Sequence, residues 1–503
     1  MAKQKKNALG VTRAEDYSKW YLEVVKMADL AENSPVRGCM TIKPWGLGIW
    51  ENIKVEFDKK FKEQGVQNAY FPLLIPLDYM QKEADHVDGF AMESAIVTHS
   101  KLEKDENGKL VPAGKLEEPY LIRPTSEMVI GEAFSRWVNS YRDLPLCINQ
   151  WANVMRWEKR TRPFLRTSEF LWQEGHTCHA TAECADSYSR TMLNVYTDVN
   201  RDLMAIPSIP GIKSESEKFP GAVSTYTFET MTQELKALQA GTSHFLGQNF
   251  AKSLGITFQS EEGKDEHAWT TSWGTSTRQI GGLIATHSDD DGLVLPPRVA
   301  PSHVVIIPML KNKEKAADVL AYCEELKKQL NDVAYHGRVI DVVIDKSDSN
   351  SRAWDWVRKG IPLRLEIGAK ELEQNTVFMA RRDKDAKDKQ AIDKNEFVAN
   401  IKSTLDDMHN NLLSKAESLL NDNIKSIDTK EEFYKFFAQD DEGARAPGFA
   451  LTHWNGDAEL EAQIKTDLGV TIRCLPFAEK GKPGKCAFTG EESAQKALFA
   501  KAY

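Results

Sequence analysis

The chain has 503 residues, of which 41% are hydrophobic and 28% are charged, and its formal net charge is −9. This length and composition are typical of a globular protein with about three domains. The negative balance argues against a protein that binds nucleic acid through its overall charge, so any such partner must be met by a local basic patch.

The sequence also predicts a cytoplasmic protein that does not enter a membrane. No apolar run approaches the roughly 20 residues that cross a bilayer, and the opening MAKQKKNALG lacks the apolar middle of a secretion signal. Seven cysteines without framework spacing favour free thiols in a reducing compartment over disulfides.

In chain order, apolar residues at helical spacing predict a helix over residues 12–32 and a second one that ends at Gly65. Further helices are predicted over 126–141 and from about 182 to 203. Strands are predicted at NAYFPLLIP (68–76), PYLIRP (119–124), LPLCINQWANVMRWE (144–158) and FLRTSEFLWQEGH (164–176). Several neighbouring strands without crossover helices favour an α+β fold with an antiparallel sheet and flanking helices.

The pattern changes at PPRVAPS (296–302), where prolines interrupt it and alternating strands and helices of a small α/β unit begin. Long helical patterns follow from about 394 to 424, and a mixed module ends the chain. The sequence therefore predicts three domains, at residues 1–300, 301–405 and 406–503.

The segment MRWEKRTRPFLRTSEFLWQEGH (155–176) concentrates charged and aromatic residues. Strand alternation places one set of side chains on a single face: Arg166, Ser168, Phe170, Trp172, Glu174 and His176. Unpaired buried charge is costly, so such a face predicts either a polar pocket or an internally paired surface sheet.

Two further interpretations of this segment concern metal and phosphate. His176, Cys178, His179 and Cys184 are possible metal ligands, but they crowd together without the spacers of zinc sites, and satisfied core residues are the alternative. The chain has no GxSxG, GxGxxG or Walker glycine loop, so a phosphate site must use side chains. Arginine binds phosphate in a bidentate way, which favours Arg156, Arg166 and Arg278.

Six ordered segments resemble the prolyl-tRNA synthetases of the archaeal and eukaryotic type, within the class II aminoacyl-tRNA synthetases. They are RPTSE (123–127), MRWE (155–158), PFLRTSEFLWQEGH (163–176), GTSHFLGQNF (241–250), SWGTSTRQIG (272–281) and GLVLPPRVAPS (292–302). The resemblance extends from about residue 13 to the C-terminus. GVQNAYFP (65–72) resembles motif 1, which implies a homodimer with Pro72 at its interface. Motif 2 corresponds to the 155–170 hairpin, and motif 3 to SWGTSTR with Arg278.

The implied reaction is attachment of L-proline to tRNA(Pro) through prolyl-adenylate, with release of pyrophosphate from ATP and with Mg²⁺ as the cofactor that accompanies ATP. By resemblance Arg156 and Arg278 are catalytic, and Mg²⁺ lies near Gln239. The resemblance implies these ATP-binding residues: Arg156, Glu158, Arg166, Thr167, Gln239, Thr242, Ser276 and Arg278. Many relatives have Thr where this chain has Ser276, and the hydroxyl is kept.

The resemblance likewise implies an amino-acid pocket. Its expected residues are Thr125, Glu127, Arg156, Phe170, Trp172, Glu174, His176, Phe219 and His244. A small ring needs aromatic walls and its cation needs a carboxylate, so these residue types suit proline.

Contacts with tRNA are expected at two places. Lys159, Arg160 and Arg162 fall in the motif 2 loop, where the acceptor end would approach. The α/β domain resembles the anticodon-binding domain of the family, and a face near Arg352, Trp354 and Trp356 is the candidate for base stacking. The terminal Tyr503 is a candidate contact of the active site, with a frayed terminus as the alternative.

The chain departs from the family pattern at two positions of interest. Asn455, Leu460 and Thr489 stand where zinc-binding cysteines are expected and only Cys486 matches, so we expect no structural zinc. Only 95 residues separate His176 from Ser272, too few for the editing insertion of bacterial-type relatives. We therefore expect that alanine or cysteine is sometimes activated and not hydrolysed by this chain.

Two rival functions remain open on the sequence. One is a class II paralogue that activates an amino acid without charging tRNA, or that only binds and regulates. The other is a metal-dependent nucleic-acid-binding protein built around EGHTCH. Proline-dependent exchange of pyrophosphate into ATP, followed by tRNA charging, separates all three.

Overall fold

The structure, a computed structural model, describes residues 8–79, 93–438 and 445–503. The first part of the chain, up to residue 287, contains the following elements in order: α1 (Tyr17–Met27), β1 (Ala31–Asn33), β2 (Met40–Ile42), α2 (Pro44–Glu63), β3 (Gln67–Asn68), β4 (Leu74–Pro76), β5 (Ile96–Lys104), β6 (Leu110–Ile122), α3 (Glu127–Trp137), β7 (Leu146–Met155), β8 (Glu169–His179), α4 (Ala182–Asp202), β9 (Ile209–Ile212), β10 (Ser224–Met231), β11 (Ala237–Gly247), α5 (Asn249–Leu254), β12 (Thr257–Gln259), β13 (Asp265–His267), β14 (Trp269–Ser276) and α6 (Arg278–His287).

The rest of the chain forms an α/β unit and a C-terminal module. Their elements are β15 (Val304–Pro308), α7 (Ala316–Asn331), β16 (Ala334–Tyr335), β17 (Arg338–Val339), β18 (Val342–Ile344), α8 (Arg352–Arg358), β19 (Leu363–Ile367), α9 (Ala369–Gln374), β20 (Thr376–Arg381), β21 (Lys389–Asp393), α10 (Lys394–Asp422), β22 (Ile424–Ser426), α11 (Lys430–Phe437), β23 (Phe449–His453), α12 (Ala458–Leu468), β24 (Thr471–Pro476), β25 (Gly484–Lys485), β26 (Glu492–Ser493) and β27 (Lys496–Ala500). Short 3-10 helices lie at Tyr141–Asp143 and Phe477–Glu479.

The predicted α+β fold with an antiparallel sheet is confirmed. Strands β9, β10, β11, β14, β8 and β7 are neighbours in that order, and each pair is antiparallel. Helices α2, α4 and α6 pack beside this sheet around a core that includes Trp20, Phe57, Phe61 and Tyr196. The two faces of the sheet are therefore different, one covered by helices and one open to a cavity.

Strand β8 shows how the sequence creates these two faces. Its residues alternate, and Tyr196 of α4 donates a 2.6 Å hydrogen bond to the Gln173 side chain on the helix-covered face. Gly175 lies opposite Trp273 of β14, and a Cβ atom at Gly175 would lie 2.2 Å from the indole ring. Only glycine leaves room for that indole, so the core requires it.

The predicted strand 68–76 is wrong as a single element. It divides into β3, which pairs with β7, and β4, which pairs with β6 in another sheet. The buried guanidinium of Arg123 donates to the carbonyl oxygen of Phe71 at 2.8 Å and to that of Pro72 at 3.5 Å. These carbonyls are satisfied by a side chain instead of a neighbouring strand, which interrupts the ladder. The first helix is also shorter than predicted, because Asp16 caps it by accepting from the Lys19 backbone N–H at 2.9 Å.

The C-terminal module continues the same sheet. Strand β24 pairs with β9 through Leu475 opposite Ile212 and Pro476 opposite Gly211, and β27, β23 and β22 follow outward. The α/β unit has its own five-stranded sheet in the order β18, β15, β19, β20, β21. Helix α10 joins the two units, so residue 405, where the sequence suggested a division, lies inside this helix.

Across residues 8–79, 93–438 and 445–503, the structure contains no helix with the length and apolar character needed to cross a bilayer.

Candidate active site

A cavity of about 330 Å³ lies over the open face of β8, β11 and β14. Most of the predicted site residues line it: Thr125, Glu127, Arg156, Phe170, Trp172, Glu174, His176, Phe219, Gln239, Thr242, His244, Ser276 and Arg278. Residues from a segment near 213–220 and further residues of β14 complete the wall. Side chains that are up to about 150 residues apart in sequence thus meet in one cavity.

The alternating residues of β8 form one wall of this cavity. The rings of Phe170 and Trp172 meet edge to face with centroids 6.0 Å apart. The guanidinium of Arg156 lies 5.7 Å from the first ring centroid and 5.4 Å from the second. Its Nε donates to the carbonyl oxygen of Pro124 at 2.9 Å, so the cation has a fixed position over the aromatic pair.

Two carboxylates face this arginine. Glu174 is buried, and it accepts hydrogen bonds from Ser126 at 2.5 Å and from Gln150 at 2.7 Å, with His176 Nε2 3.3 Å away. Burial opposes its ionisation, but His176 and these donors lower its pKa below the ordinary value. Glu127 is also buried and accepts a hydrogen bond from the Thr125 hydroxyl. The cavity therefore carries fixed negative charge beside its aromatic wall.

A second part of the cavity, on β11, contains a neutral histidine. Burial lowers the pKa of His244 to about 3, and His176 adds to this effect. The two ring nitrogens lie 3.0 Å from the hydroxyl of Thr225 and 3.1 Å from that of Thr242. The Phe219 ring packs against the imidazole with centroids 4.6 Å apart. A flat, uncharged surface thus borders this part of the cavity.

The third part of the cavity is positively charged. Arg278, the first residue of α6, donates from Nε to the Leu165 carbonyl oxygen at 3.1 Å and from Nη1 to that of Gln239 at 3.4 Å. Burial lowers the pKa of Arg278, and the nearby charges of Arg156 and Arg166 lower it further. Neighbouring positive charges make the charged form of each arginine less stable, and a bound polyanion relieves this repulsion.

Comparison with known proteins identifies the chain. It is 54% identical to proline–tRNA ligase 2 of Anaeromyxobacter dehalogenans over 99% of this chain and 98% of that protein. It is also 52% identical to the proline–tRNA ligase of Bdellovibrio bacteriovorus over 99% of both chains. The chain belongs to the prolyl-tRNA synthetases.

Family models agree along the length of the chain. The class II core domain of the G, H, P, S and T synthetases matches residues 112–287, and an anticodon-binding domain matches 303–404. The prolyl-tRNA synthetase C-terminal family matches 443–503. Among solved structures, prolyl-tRNA synthetase from Cryptosporidium parvum complexed with halofuginone and AMPPNP is 36% identical, with a TM-score of 0.89 over 99% of both chains. The same synthetase complexed with L-proline and AMP is 34% identical, with a TM-score of 0.86 over 100% of this chain and 99% of that one.

Three predicted ATP residues of this synthetase lie outside the cavity wall: Glu158, Arg166 and Thr167. Strand β8 begins only at Glu169, so Arg166 and Ser168 are not part of the predicted strand face. The reason is a turn closed by hydrogen bonds between Arg162 and Arg166, in which Phe164 has a positive φ of 62°. Arg166 instead forms a 2.7 Å ion pair with Glu158, and the Thr167 hydroxyl donates to the Glu169 carbonyl oxygen at 2.7 Å.

The motif 2 loop has less free positive charge than expected. The Arg162 guanidinium lies over Tyr21 at 4.8 Å and over Tyr503 at 5.6 Å. Tyr503 does not line the cavity; its hydroxyl donates to Glu234 at 2.8 Å. Arg160 is exposed, and Lys159 is 91% exposed and loosely paired with Glu93 at 3.6 Å.

The segment EGHTCH does not gather metal ligands. His176 faces the cavity and Cys178 lies in a buried core cluster. Burial lowers the pKa of His179 to about 4, and its two ring nitrogens lie 2.7 Å from the Thr177 hydroxyl and 3.1 Å from the Cys184 sulfur. Within the described ranges, no group of three or more His, Cys, Asp or Glu side chains could hold a metal ion.

At the positions of the expected zinc ligands, Asn455 donates to Glu491 at 2.5 Å, and the Thr489 hydroxyl lies 3.4 Å from the same carboxylate. Cys486 is buried nearby in sequence. A hydrogen-bonded cluster therefore occupies this region of the C-terminal module.

Two of the three residues predicted to contact the anticodon form hydrogen bonds within the chain. Arg352 donates to the carbonyl oxygens of Pro308 at 2.7 Å and Ser347 at 2.6 Å. Trp356 donates to Asp345 at 2.8 Å and packs edge to face with Trp45 of α2. Trp354 is 38% exposed.

The sequence reasoning missed several cavity residues, above all Lys213, Glu217, Lys218, Thr225 and Ser272. Alternation along β14 would have found Ser272, because it shares a face with Gly274 and Ser276. The residues near 213–220 had no periodic pattern, and only the packing of the folded chain brings them to the cavity.

Proposed function

We propose that this synthetase joins L-proline to the 3′ end of tRNA(Pro) in two steps at the cavity. The observation that carries the proposal is that one cavity holds an aromatic wall, two buried carboxylates and two arginines. A small hydrophobic ring with a cationic nitrogen fits the first two features, and the phosphates of ATP fit the third. The related Cryptosporidium parvum synthetase was solved in complex with L-proline and AMP, which supports an amino acid and a nucleotide as ligands of this cavity.

In the first step, a carboxylate oxygen of proline forms a bond to the α-phosphorus of ATP. The bond between that phosphorus and the bridging oxygen to the β-phosphate breaks, and pyrophosphate leaves with the electron pair. The nucleophile is already ionised, so no general base is required. The barrier is lowered by positioning and by neutralising charge on the phosphates.

Each part of the cavity has a role in this step. Glu127 and Thr125 hold the secondary ammonium of proline. Four rings enclose the ring of proline: Phe170, Trp172, Phe219 and His244. Glu174 and His176 support the β8 wall of the cavity. Arg156 lies between the proline carboxylate and the α-phosphate, which is supported by its anchorage to Pro124 and its position over the β8 aromatics. Arg278 binds the outer phosphates.

The remaining ATP contacts are proposed at the rim of the cavity. Gln239, Thr242 and Ser276 lie on the β11 and β14 side, where polar side chains suit phosphate and its metal ion. The amide oxygen of Gln239 would be the protein ligand of a Mg²⁺ ion that arrives with ATP, and the ion would neutralise charge on the phosphates. Glu158, Arg166 and Thr167 contact the adenosine and phosphates from motif 2, and the exposure of Arg166 leaves its guanidinium accessible.

In the second step, a hydroxyl oxygen of the terminal tRNA ribose forms a bond to the carbonyl carbon of prolyl-adenylate. The bond from that carbon to the phosphate oxygen breaks, AMP leaves with the electron pair, and the hydroxyl proton passes to the departing phosphate or to solvent. Lys159 and Arg160 are exposed in the motif 2 loop and suit the phosphates of the acceptor end. The unit at residues 301–405 binds the anticodon, and Trp354 is exposed there for base stacking.

Further proposals concern organisation. We divide the chain into a catalytic domain at 1–300, an anticodon-binding domain at 301–405 and a C-terminal module at 406–503. A homodimer forms around motif 1, where Pro72 is exposed beside Tyr70, itself 73% exposed. The seven free cysteines support a reducing cytoplasm as the location.

We also propose that the chain has the archaeal and eukaryotic architecture without a cis-editing domain. Similarity to a Cryptosporidium parvum synthetase over 99% of both chains supports this architecture. Two relatives with 54% and 52% identity come from bacteria, so the proposed architecture does not identify the source organism. Slow deacylation of alanyl-tRNA(Pro) by the purified protein is expected, and rapid deacylation would contradict it. Elemental analysis is expected to find no stoichiometric zinc.

Two assays test the proposed function. Proline-dependent exchange of pyrophosphate into ATP is expected with the purified chain, and proline should be preferred over alanine and cysteine. Charging of tRNA(Pro) then distinguishes a ligase from a paralogue that only activates proline. Absence of exchange at saturating proline would show that the cavity has another substrate.

A further inference from the structure

The segment 213–220, which we call the pocket loop, forms one side of the cavity. Lys213, Glu217, Lys218, Phe219 and Pro220 all line it. On the cavity side, the Phe219 ring packs on His244, and the Phe219 backbone N–H donates to the Thr225 hydroxyl at 2.9 Å. The loop position therefore determines how closely the ring of a bound amino acid is enclosed.

The outer side of the pocket loop is held by a helix almost 250 residues further along the chain. Ser214 donates to Glu461 Oε1 at 2.8 Å, and the Ser216 hydroxyl donates to Oε2 of the same carboxylate. Glu461 lies on α12 and is only 5% exposed. Both oxygens of one buried carboxylate are thus used to hold two loop hydroxyls, and neither hydroxyl belongs to the cavity wall.

Two ion pairs add to this attachment. Lys465, one turn after Glu461 on α12, pairs with Glu217 at 3.1 Å. At the start of the loop, Lys213 Nζ donates to the Arg473 carbonyl oxygen at 2.7 Å and pairs with the buried Glu229 at 3.1 Å. Every one of these contacts except Glu229 comes from the C-terminal module.

We propose that Glu461 is a positioning residue for the amino-acid pocket, so that the C-terminal module sets the affinity for proline by holding the pocket loop closed. This inference rests on the proposed function, because it assigns the loop to proline binding. Glu461 touches no substrate and acts through Ser214 and Ser216. Hydrogen bonds to a carboxylate are among the stronger ones, and two of them to one buried group hold the loop in a single position.

The consequence for binding is a change in population. If the loop is released, it occupies its binding-competent position for a smaller fraction of the time, and the apparent affinity for proline falls by that fraction. ATP is bound mainly by arginines on other elements, so the affinity for ATP should not change when the loop is released. If Glu461 only stabilised the fold, its replacement would lower the melting temperature but would not weaken the binding of proline more than the binding of ATP.

The test uses proline-dependent pyrophosphate exchange with the full chain, with KM measured for both substrates. Glu461→Ala is expected to raise KM for proline about tenfold, which corresponds to about 1.4 kcal/mol, while KM for ATP and kcat stay within about twofold. Glu459→Gln is the matched control, because it removes a carboxylate from an exposed position of the same helix and should leave all three constants unchanged.

A second variant approaches the contact from the loop. Ser216 is exposed and lies outside the cavity wall, so Ser216→Ala should fold even if Glu461→Ala does not. It is expected to raise KM for proline in the same direction, by a smaller factor. An unchanged proline KM in Ser216→Ala, or in folded Glu461→Ala, would overturn the inference, as would an equal rise in both KM values. Wild-type chain without proline-dependent exchange would instead count against the proposed function.

Discussion

Replacement of Arg156 gives the sharpest test of the proposed chemistry. Its guanidinium is held in place by the Pro124 carbonyl oxygen at 2.9 Å and by the rings of Phe170 and Trp172. Burial lowers its pKa, and the negative charges of Glu127, Glu174 and Glu158 oppose that effect. Arginine nevertheless stays charged at every working pH. A fixed cation in a poorly solvated site stabilises a developing negative charge without reorganising during the reaction.

The magnitude follows from this pre-organisation. Removal of one pre-organised donor to a developing anion costs about 2.7–4 kcal/mol, or about a hundredfold to a thousandfold in kcat. Arg156→Ala should therefore lower kcat of proline-dependent exchange by that factor. Arg156→Lys should lose nearly as much, because an ammonium group cannot both donate to the Pro124 carbonyl oxygen and present a planar pair of donors to phosphate.

The assay is pyrophosphate exchange at saturating proline and ATP, with circular dichroism to show that each variant is folded. Arg160→Ala is the matched control, since this arginine is exposed in the same hairpin and outside the cavity. Its exchange rate should match that of the wild type. A folded Arg156→Ala variant that keeps exchange within about tenfold of the wild type would refute the assignment of Arg156 as the catalytic cation.

Three further predictions concern the pocket and the fold. Glu127→Gln should raise KM for proline about tenfold to a hundredfold, because a hydrogen bond to a charged group contributes about 1.5–3 kcal/mol. Glu132→Gln, on the same helix, is the control. Equal KM values for the two variants would exclude Glu127 as the partner of the ammonium group. Gly175→Ala should lower the free energy of unfolding in urea denaturation by about 1–3 kcal/mol, because the new Cβ would lie 2.2 Å from Trp273. An unchanged free energy of unfolding would contradict that packing. Among the histidines that the structure describes, five have a pKa lowered by burial to about 3 or 4: His179, His244, His287, His303 and His409. Their pKa values in the folded chain lie below the unfolded value of about 6.5, so the unfolded chain binds more protons. The melting temperature should therefore fall as the pH drops from about 6.5 towards 4. His303→Asn should weaken this pH dependence, and a melting temperature that does not change with pH in the wild type would contradict the prediction.

Much of the candidate site could be predicted because local rules govern it. Alternation along a strand is a property of the backbone, so Phe170, Trp172, Glu174 and His176 could be assigned to one face without coordinates, and all four line the cavity. The same rule failed at Arg166, where the 162–166 turn ends the strand pattern. Proline and a residue with positive φ change the direction of the chain there, and no periodicity reports that change.

The strand predicted over 68–76 failed for a different reason. Its apolar composition suits a strand, but the backbone carbonyls at Phe71 and Pro72 are taken by the distant Arg123 side chain. The Arg123 side chain is 52 residues from Phe71, and a side chain so distant that replaces ladder hydrogen bonds has no local signature in the sequence. Most of the pocket loop was missed for the same reason. Phe219 was expected from the resemblance, but Ser214 and Ser216 contact the distant Glu461 only in the folded chain.

Long-range contacts also explain why the C-terminal module belongs with the catalytic sheet. Glu229 is fully buried in β10, and its carboxylate pairs with Lys213 at 3.1 Å and with Arg473 of β24 at 3.0 Å. Burial raises the pKa of Glu229, but the two cations lower it more, so the carboxylate is held ionised. Removal of one partner from a buried ion pair leaves uncompensated charge and destabilises a protein by about 3–5 kcal/mol. The catalytic sheet is therefore complete only when β24 has paired with β9, and the side of the cavity that contains Lys213 depends on residues from the last quarter of the chain.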